Sequence, residues 1–373
     1  MSTTVVGGSF AILSSKVNRF NTSLGGHMSI NFTRRRPNLD GGRVSNKVPA
    51  RFMGDDRSFT PPLRTPPKRL YNFSTMPLSL SPLIRFGTST WTYEGWQGQV
   101  YQRQYAKSTF ARECLGEYCQ YQYQGEPLFR TVGNDATFYR PPTANQLRRY
   151  LNQIPEDFQM CFKVWEEITI PSYAKQPRYG TRAGQPNPRF LDAKLFNDLV
   201  LTPYREAKFE PNTGPFLFEF QRHGMSVDEF CSRLDKFFLQ LPREFLYAVE
   251  IRNPTLLDFS YLQILARHGV AHVYNHWSHM PPLAEQHTRI RGFTSVFTVL
   301  RLLTPLKMSY EAAKKRAEPY TKIVEELPQM RRETVQLVRH AVSEGRHAYV
   351  LVNNRAEGNA PLTVEGLVEM LGS

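Results

Sequence analysis

From Ile84 to the C-terminus the chain alternates eight short apolar runs with amphipathic stretches, and few architectures accommodate that pattern. The runs are Ile84–Thr88, Phe129–Asn134, Gln159–Val164, Pro215–Phe220, Leu246–Ile251, Val270–Tyr274, Phe297–Leu302 and Ala348–Val352. Helical patterns fall between them at 108–118, 143–152, 192–204, 227–239 and 257–267, weakly near 282–286, then at 310–342 and 363–371. Ser226 and Asp228 mark a helix start, Gly269 marks a stop, and Pro328 should break the long seventh region in two. Strands alternating with helices predict an α/β protein with a parallel sheet covered on both faces. Eight such units in about 290 residues fit a (β/α)8 TIM-type barrel, which takes about 250 residues. An open doubly wound sheet is the alternative, but Gly87-Thr88-Ser89-Thr90-Trp91 is not the G-x-G-x-x-G phosphate loop such a sheet would carry. Residues 170–191, with four prolines and two glycines, read as an inserted loop and a candidate lid.

Residues 1–80 follow other rules. They are rich in Ser, Thr, Gly, Pro and Arg, and they carry 12 basic side chains against 3 acidic ones. No period of 2 or 3.6 runs through them, so a disordered basic tail is expected. An interaction arm, a transit-peptide-like leader, and a dispensable extension ahead of a start at Met76 are its three readings; we favour the dispensable one. The other 293 residues carry 35 basic against 30 acidic groups, so most of the net charge of +14 belongs to the tail. The charge argument for a nucleic-acid partner weakens accordingly. No apolar run approaches the roughly 18 residues a membrane span needs, so no membrane partner is expected. Cys114, Cys119, Cys161 and Cys231 form no metal-binding rhythm, which suits reduced thiols in the cytoplasm.

Six ordered motifs resemble the YecE-like family (domain of unknown function, family 72). They are Phe86-Gly87-Thr88-Ser89-Thr90-Trp91-Thr92-Tyr93 with Gly95-Trp96, then Asp135-Ala136-Thr137-Phe138-Tyr139-Arg140-Pro141-Pro142, and the third-strand segment Pro155–Phe162 with Lys163. Leu217-Phe218-Glu219-Phe220-Gln221, Ala248-Val249-Glu250-Ile251-Arg252-Asn253-Pro254, and Val352-Asn353-Asn354 with Gly358-Asn359-Ala360-Pro361 complete the set. The resemblance spans nearly all of 84–373 and implies the barrel. The chain departs from the family pattern at several points: it lacks the usual glutamate after the second strand, carries Glu219 and Gln221 where glutamine and proline are usual, and has no glycine after Arg301.

A barrel of this kind works at the C-terminal mouth of its strands. Strand ends and the loops after them supply Trp91, Trp96, Asp135, Tyr139, Lys163, Glu219, Gln221, Glu250, Arg252, Asn275, Arg301, Asn353 and Asn354. Glu250 and Arg252 lie two apart on one strand and face the same way. They read either as a carboxylate beside an anion-binding group or as a structural ion pair. Asp135, Glu219 and Glu250 are the proton-transfer candidates. Arg252, Arg301 and Lys163 would hold a phosphate or carboxylate. Trp91, Trp96 and Tyr139 would stack on a ring or pack the rim, while Asn275, Asn353 and Asn354 would orient a ligand or pin turns.

The leading expectation is a hydrolase or lyase acting on a small anionic ligand, with no cofactor. The alternatives are a metal-dependent phosphodiesterase acting on nucleic acid, with His276 as a divalent-metal ligand, and a non-catalytic barrel that binds a ligand or protein.

Overall fold

The computed structural model describes residues 80–373; the expected basic tail, apart from Leu80, lies outside them. Eight strands make one parallel sheet: Ile84–Thr88 (β1), Thr131–Asn134 (β2), Gln159–Lys163 (β3), Thr213–Phe220 (β4), Tyr247–Ile251 (β5), Ala271–His276 (β6), Phe297–Leu302 (β7) and His347–Val352 (β8). All eight predicted strands are present, with ends moved by at most two residues. The order β1-β8-β7-β6-β5-β4-β3-β2 curls the sheet into a barrel that is nearly closed, with helices outside it.

The seventh helical region does divide, into Tyr310–Ala317 and Pro328–Ser343. Pro328 opens the second piece, where a missing N–H costs nothing because that position has no intrahelical partner. The weak signal near 282–286 becomes a full helix, Leu283–Ile290. The 192–204 pattern is helical throughout but changes pitch, with a π-helical stretch at Phe196–Leu201. A two-residue hairpin (Gln122–Tyr123 with Glu126–Pro127) and short helices at Glu166–Thr169 and Asn354–Glu357 carry no sequence signal we recognised.

Two apolar cores follow from the alternation of side chains along a strand. Outward residues such as Phe162, Phe216, Phe218, Val249 and Leu300 pack under the helices. Each ring so buried contributes about 1.5–3 kcal/mol. Inward residues form a smaller core inside the barrel, where Cys161, Leu217, Ala248, Val273, Val299 and Leu351 meet. Two positions further along the same strands come Lys163, Glu219, Glu250, Asn275, Arg301 and Asn353. An apolar layer thus floors a polar one.

The barrel closes between β1 and β2. A backbone bond runs from Arg130 N–H to the Phe86 carbonyl (2.9 Å), and the Thr88 N–H then turns to the Tyr118 hydroxyl (3.0 Å). Tyr118 is fully buried and stacks on Phe129 at 4.3 Å between ring centroids. Gly87 and Gly133 let the strands approach: a Cβ on Gly87 would lie 2.0 Å from the Thr131 carbonyl oxygen.

Candidate functional site

The polar layer above the inner core is a network of buried charges. Glu219 Oε2 receives Lys163 Nζ (3.0 Å), Arg252 Nη2 (2.9 Å) and Arg301 Nη1 (3.2 Å). Glu250 Oε1 pairs with Arg252 Nη2 at 2.6 Å, and its Oε2 pairs with Arg301. Arg301 reaches on to Asp135 Oδ1 at 3.1 Å, and the Gln221 amide donates to Glu219. Glu250, Arg301, Glu219 and Arg252 are between 0 and 5 % exposed, so their charges interact with little screening.

Burial by itself would raise the Glu219 pKa, but the charges of Lys163, Arg252 and Arg301 outweigh it and hold the carboxyl well below the usual carboxylate range. Glu219 is therefore a fixed anion at any physiological pH. Burial works against the charge on Arg301 too, yet Glu250, Asp135 and Glu219 raise its pKa above that of an ordinary arginine.

This network opens into a cavity of about 460 Å³ at the C-terminal mouth, lined by Asp135, Lys163, Glu219, Arg252 and Arg301 among others. Lys163 Nζ also sits 4.1 Å from the centre of the Phe138 ring, and the Arg252 guanidinium lies 4.7 Å from that of Trp277. Tyr139 lines the cavity from an exposed position.

Arg355 completes the wall. The residue follows the paired asparagines, whose roles are structural. Asn353 Oδ1 accepts from Arg355 N–H (3.0 Å) and caps the short helix Asn354–Glu357, while Asn354 Oδ1 accepts from Ala360 N–H (2.8 Å). That turn sets the Arg355 guanidinium 4.5 Å over the Tyr310 ring, with no carboxylate partner among the described residues. The mouth thus gathers four cations (Lys163, Arg252, Arg301, Arg355) and three carboxylates (Asp135, Glu219, Glu250). Arg252 Nη1 and Arg301 Nε are buried without a hydrogen-bond partner in the protein, and such groups ordinarily have one.

Other expected site residues lie elsewhere. Trp91 and Trp96 belong to the core, Trp91 edge-on to Tyr150 at 5.5 Å and Trp96 stacked with Tyr101 and Tyr118. They are too buried to stack on a ligand. Asn275 points inward beside Arg301, donates to the Ile251 carbonyl (3.1 Å), and keeps a buried Oδ1 without a partner. His276, one residue on, faces outward because strand side chains alternate. Its Nδ1 meets the Thr304 carbonyl at 2.8 Å, and burial lowers its pKa despite that bond. Among the described residues no three His, Cys, Asp or Glu side chains converge as metal ligands, so His276 has no companions for a divalent ion. All four thiols are buried and unpaired, and burial pushes Cys231 up to about 11, away from thiolate reactivity.

Arg355, Trp277 and Tyr310 were missed in reading the sequence. Trp277 had a signal, since it follows Asn275-His276 at a strand end. Arg355 and Tyr310 sit on helical turns beyond the strand ends, where the strand alternation says nothing.

Comparison with known proteins adds the family. The profile of the family described as "Protein of unknown function DUF72" matches residues 85–373. Two similar solved structures are a DUF72 family protein from Enterococcus faecalis and one from Thermotoga maritima. The first is 17% identical at a TM-score of 0.56, over 78% of this chain and 96% of that one. The second is 20% identical at a TM-score of 0.52, over 78% of this chain and 99% of that one. No curated protein matches. Among the described residues no helix is long and apolar enough to cross a membrane.

Proposed function

The chain belongs to the DUF72 family, and from that premise we propose that its barrel mouth binds a small anionic substrate, bearing phosphate or carboxylate, for a hydrolase- or lyase-type proton transfer. One observation carries the reading: Arg355 leaves the mouth with one cation more than it has carboxylates. An incoming anion would neutralise that excess and offer acceptors to the buried arginine N–H groups.

The three carboxylates divide by environment. Glu250 is wholly buried and Glu219 is fixed as an anion, so both serve as counter-charges that hold Arg252 and Arg301 in place. Asp135 carries a side chain that is 38% exposed and borders the cavity, so it is the group placed to exchange a proton with a bound substrate. A non-catalytic binding barrel is the second reading, favoured by the ion pairs that occupy the inner two carboxylates.

The test is the thermal unfolding of the full chain in a series of inorganic phosphate and acetate concentrations, for the wild type, Arg355→Gln and Asp135→Asn. Stabilisation that grows with anion concentration and is lost in Arg355→Gln is expected. Equal behaviour of wild type and Arg355→Gln would refute the site. Turnover of a bound ester that survives Asp135→Asn would remove Asp135 from the chemistry.

A further inference from the structure

Beside the mouth lies a second and larger cavity, of about 660 Å³. The segment around Ile170–Tyr179 walls one side, and the loop leaving β4, around Gln221–Met225, walls another. The two cavities meet along a shared wall, since Phe138 and Gln221 line both.

Their chemistry differs. The mouth is a charge network, whereas Ile170, Pro171, Ala174 and Met225 give the second cavity apolar surface. Its buried carboxylate is already satisfied: Glu166 Oε2 accepts from Arg178 Nη2 (2.8 Å) and from the Tyr179 hydroxyl (2.7 Å). His223 Nδ1 accepts from Met225 N–H, and its ring lies against Phe230 at 5.0 Å. Arg222 is exposed, at the edge.

The wall is also built to stay. Glu167, 4% exposed, binds the Tyr173 hydroxyl (2.6 Å) and the Arg182 guanidinium (2.5 Å), and Asn187 Nδ2 donates to the Glu167 and Ile170 carbonyls (2.8 Å each). These bonds pin both ends of the segment to the short helix after β3. A preformed cavity of this size suits an organic molecule, and a bare inorganic anion would leave it empty.

Accepting that the mouth binds an anion, we infer that the natural ligand is one molecule spanning both cavities: an anionic head in the mouth carrying an uncharged ring that lies beyond Phe138 and Gln221 in the second cavity. The class is a ring-bearing organic phosphate or carboxylate.

The experiment is calorimetric titration of the full chain with two pairs of probes, phenyl phosphate against inorganic phosphate and benzoate against acetate. The pair with the larger ring advantage tells phosphate from carboxylate. Burying a phenyl ring should tighten binding about tenfold or more. Ala174→Trp fills the second cavity from an exposed position, so it should erase the ring advantage and leave the ring-free anion bound as before. A Ser172→Trp protein serves the same purpose if the first variant unfolds. Equal binding of ring-bearing and ring-free anions, or a ring advantage that persists in the filled variant, overturns the two-cavity ligand and leaves the mouth reading intact. Binding of none of the four probes overturns the mouth reading, and this inference with it.

Discussion

Glu250 on β5 and Arg301 on β7 reach past the intervening strand β6 to form an ion pair inside the barrel, with side chains 0% and 2% exposed. Removing one partner strands the other: Glu250→Gln leaves Arg301 and Arg252 with a single buried carboxylate between them. We expect a loss of about 3–5 kcal/mol, as for other broken buried pairs. Urea unfolding checks it, and a loss below about 1 kcal/mol would mean the network relaxes or admits water.

Glu219 makes the stability pH-dependent in a defined direction. Its folded pKa lies below its unfolded one, so the unfolded chain takes up the proton first as the pH falls. The contribution is therefore present in full above the unfolded value of about 4.3 and is lost as the pH drops through the folded value. The stability gap between wild type and Glu219→Gln should be constant from about pH 8 to about pH 6 and shrink below about pH 4. A gap that stays level through the acid limb would show that Glu219 is not held ionised by its three cations.

Gly87 and Gly116 test the seam. A methyl on Gly87 meets the Thr131 carbonyl oxygen at 2.0 Å, which backbone atoms cannot yield cheaply, so Gly87→Ala should cost about 3 kcal/mol or more. Gly116 lies in the helix Leu115–Cys119 with its nearest new contact at 3.6 Å, and Gly116→Ala should be neutral or stabilise by about 0.5 kcal/mol. Chemical denaturation of both proteins side by side decides the matter; similar values would locate the closure elsewhere.

The wall of the second cavity should loosen without the barrel melting. Glu167→Gln removes the charge that Tyr173 and Arg182 bind, while strands and helices keep their packing. Limited proteolysis is expected to cut within residues 172–186 faster in the variant, at an unfolding midpoint little changed. Resistance equal to wild type would mean that Glu166 and Asn187 suffice to hold the segment.

Inward and outward positions on each strand were legible from the sequence, because the two-residue period that places Val299 in the inner core also aims Arg301 at the mouth. The same period separates Asn275 from His276, so that one side chain lies beside Arg301 inside the barrel and the next meets Thr304 on the other face. Trp91 and Trp96 illustrate another limit. They follow β1 in a loop, where no period says which way a ring turns, and the aromatic neighbours Tyr101, Tyr118 and Tyr150 draw them inward. Arg355 needed the cap formed by Asn353, a tertiary detail with no spacing rule of its own.

The clasp at Tyr118 sits where the ladder of strands around the barrel is interrupted. Strands β3 to β7 are joined by successive backbone ladders and carry Lys163, Glu219, Glu250, Arg252 and Arg301 as a single plate. Asp135 follows the end of β2, beside the clasp, and is tied to that plate by the ladder between β2 and β3 and by Arg301. Fraying at the clasp therefore reaches Asp135 before it reaches the strands that carry the buried charges. Amide exchange at Arg130 and Thr88 running ahead of that at Val350 is the signature of such a motion.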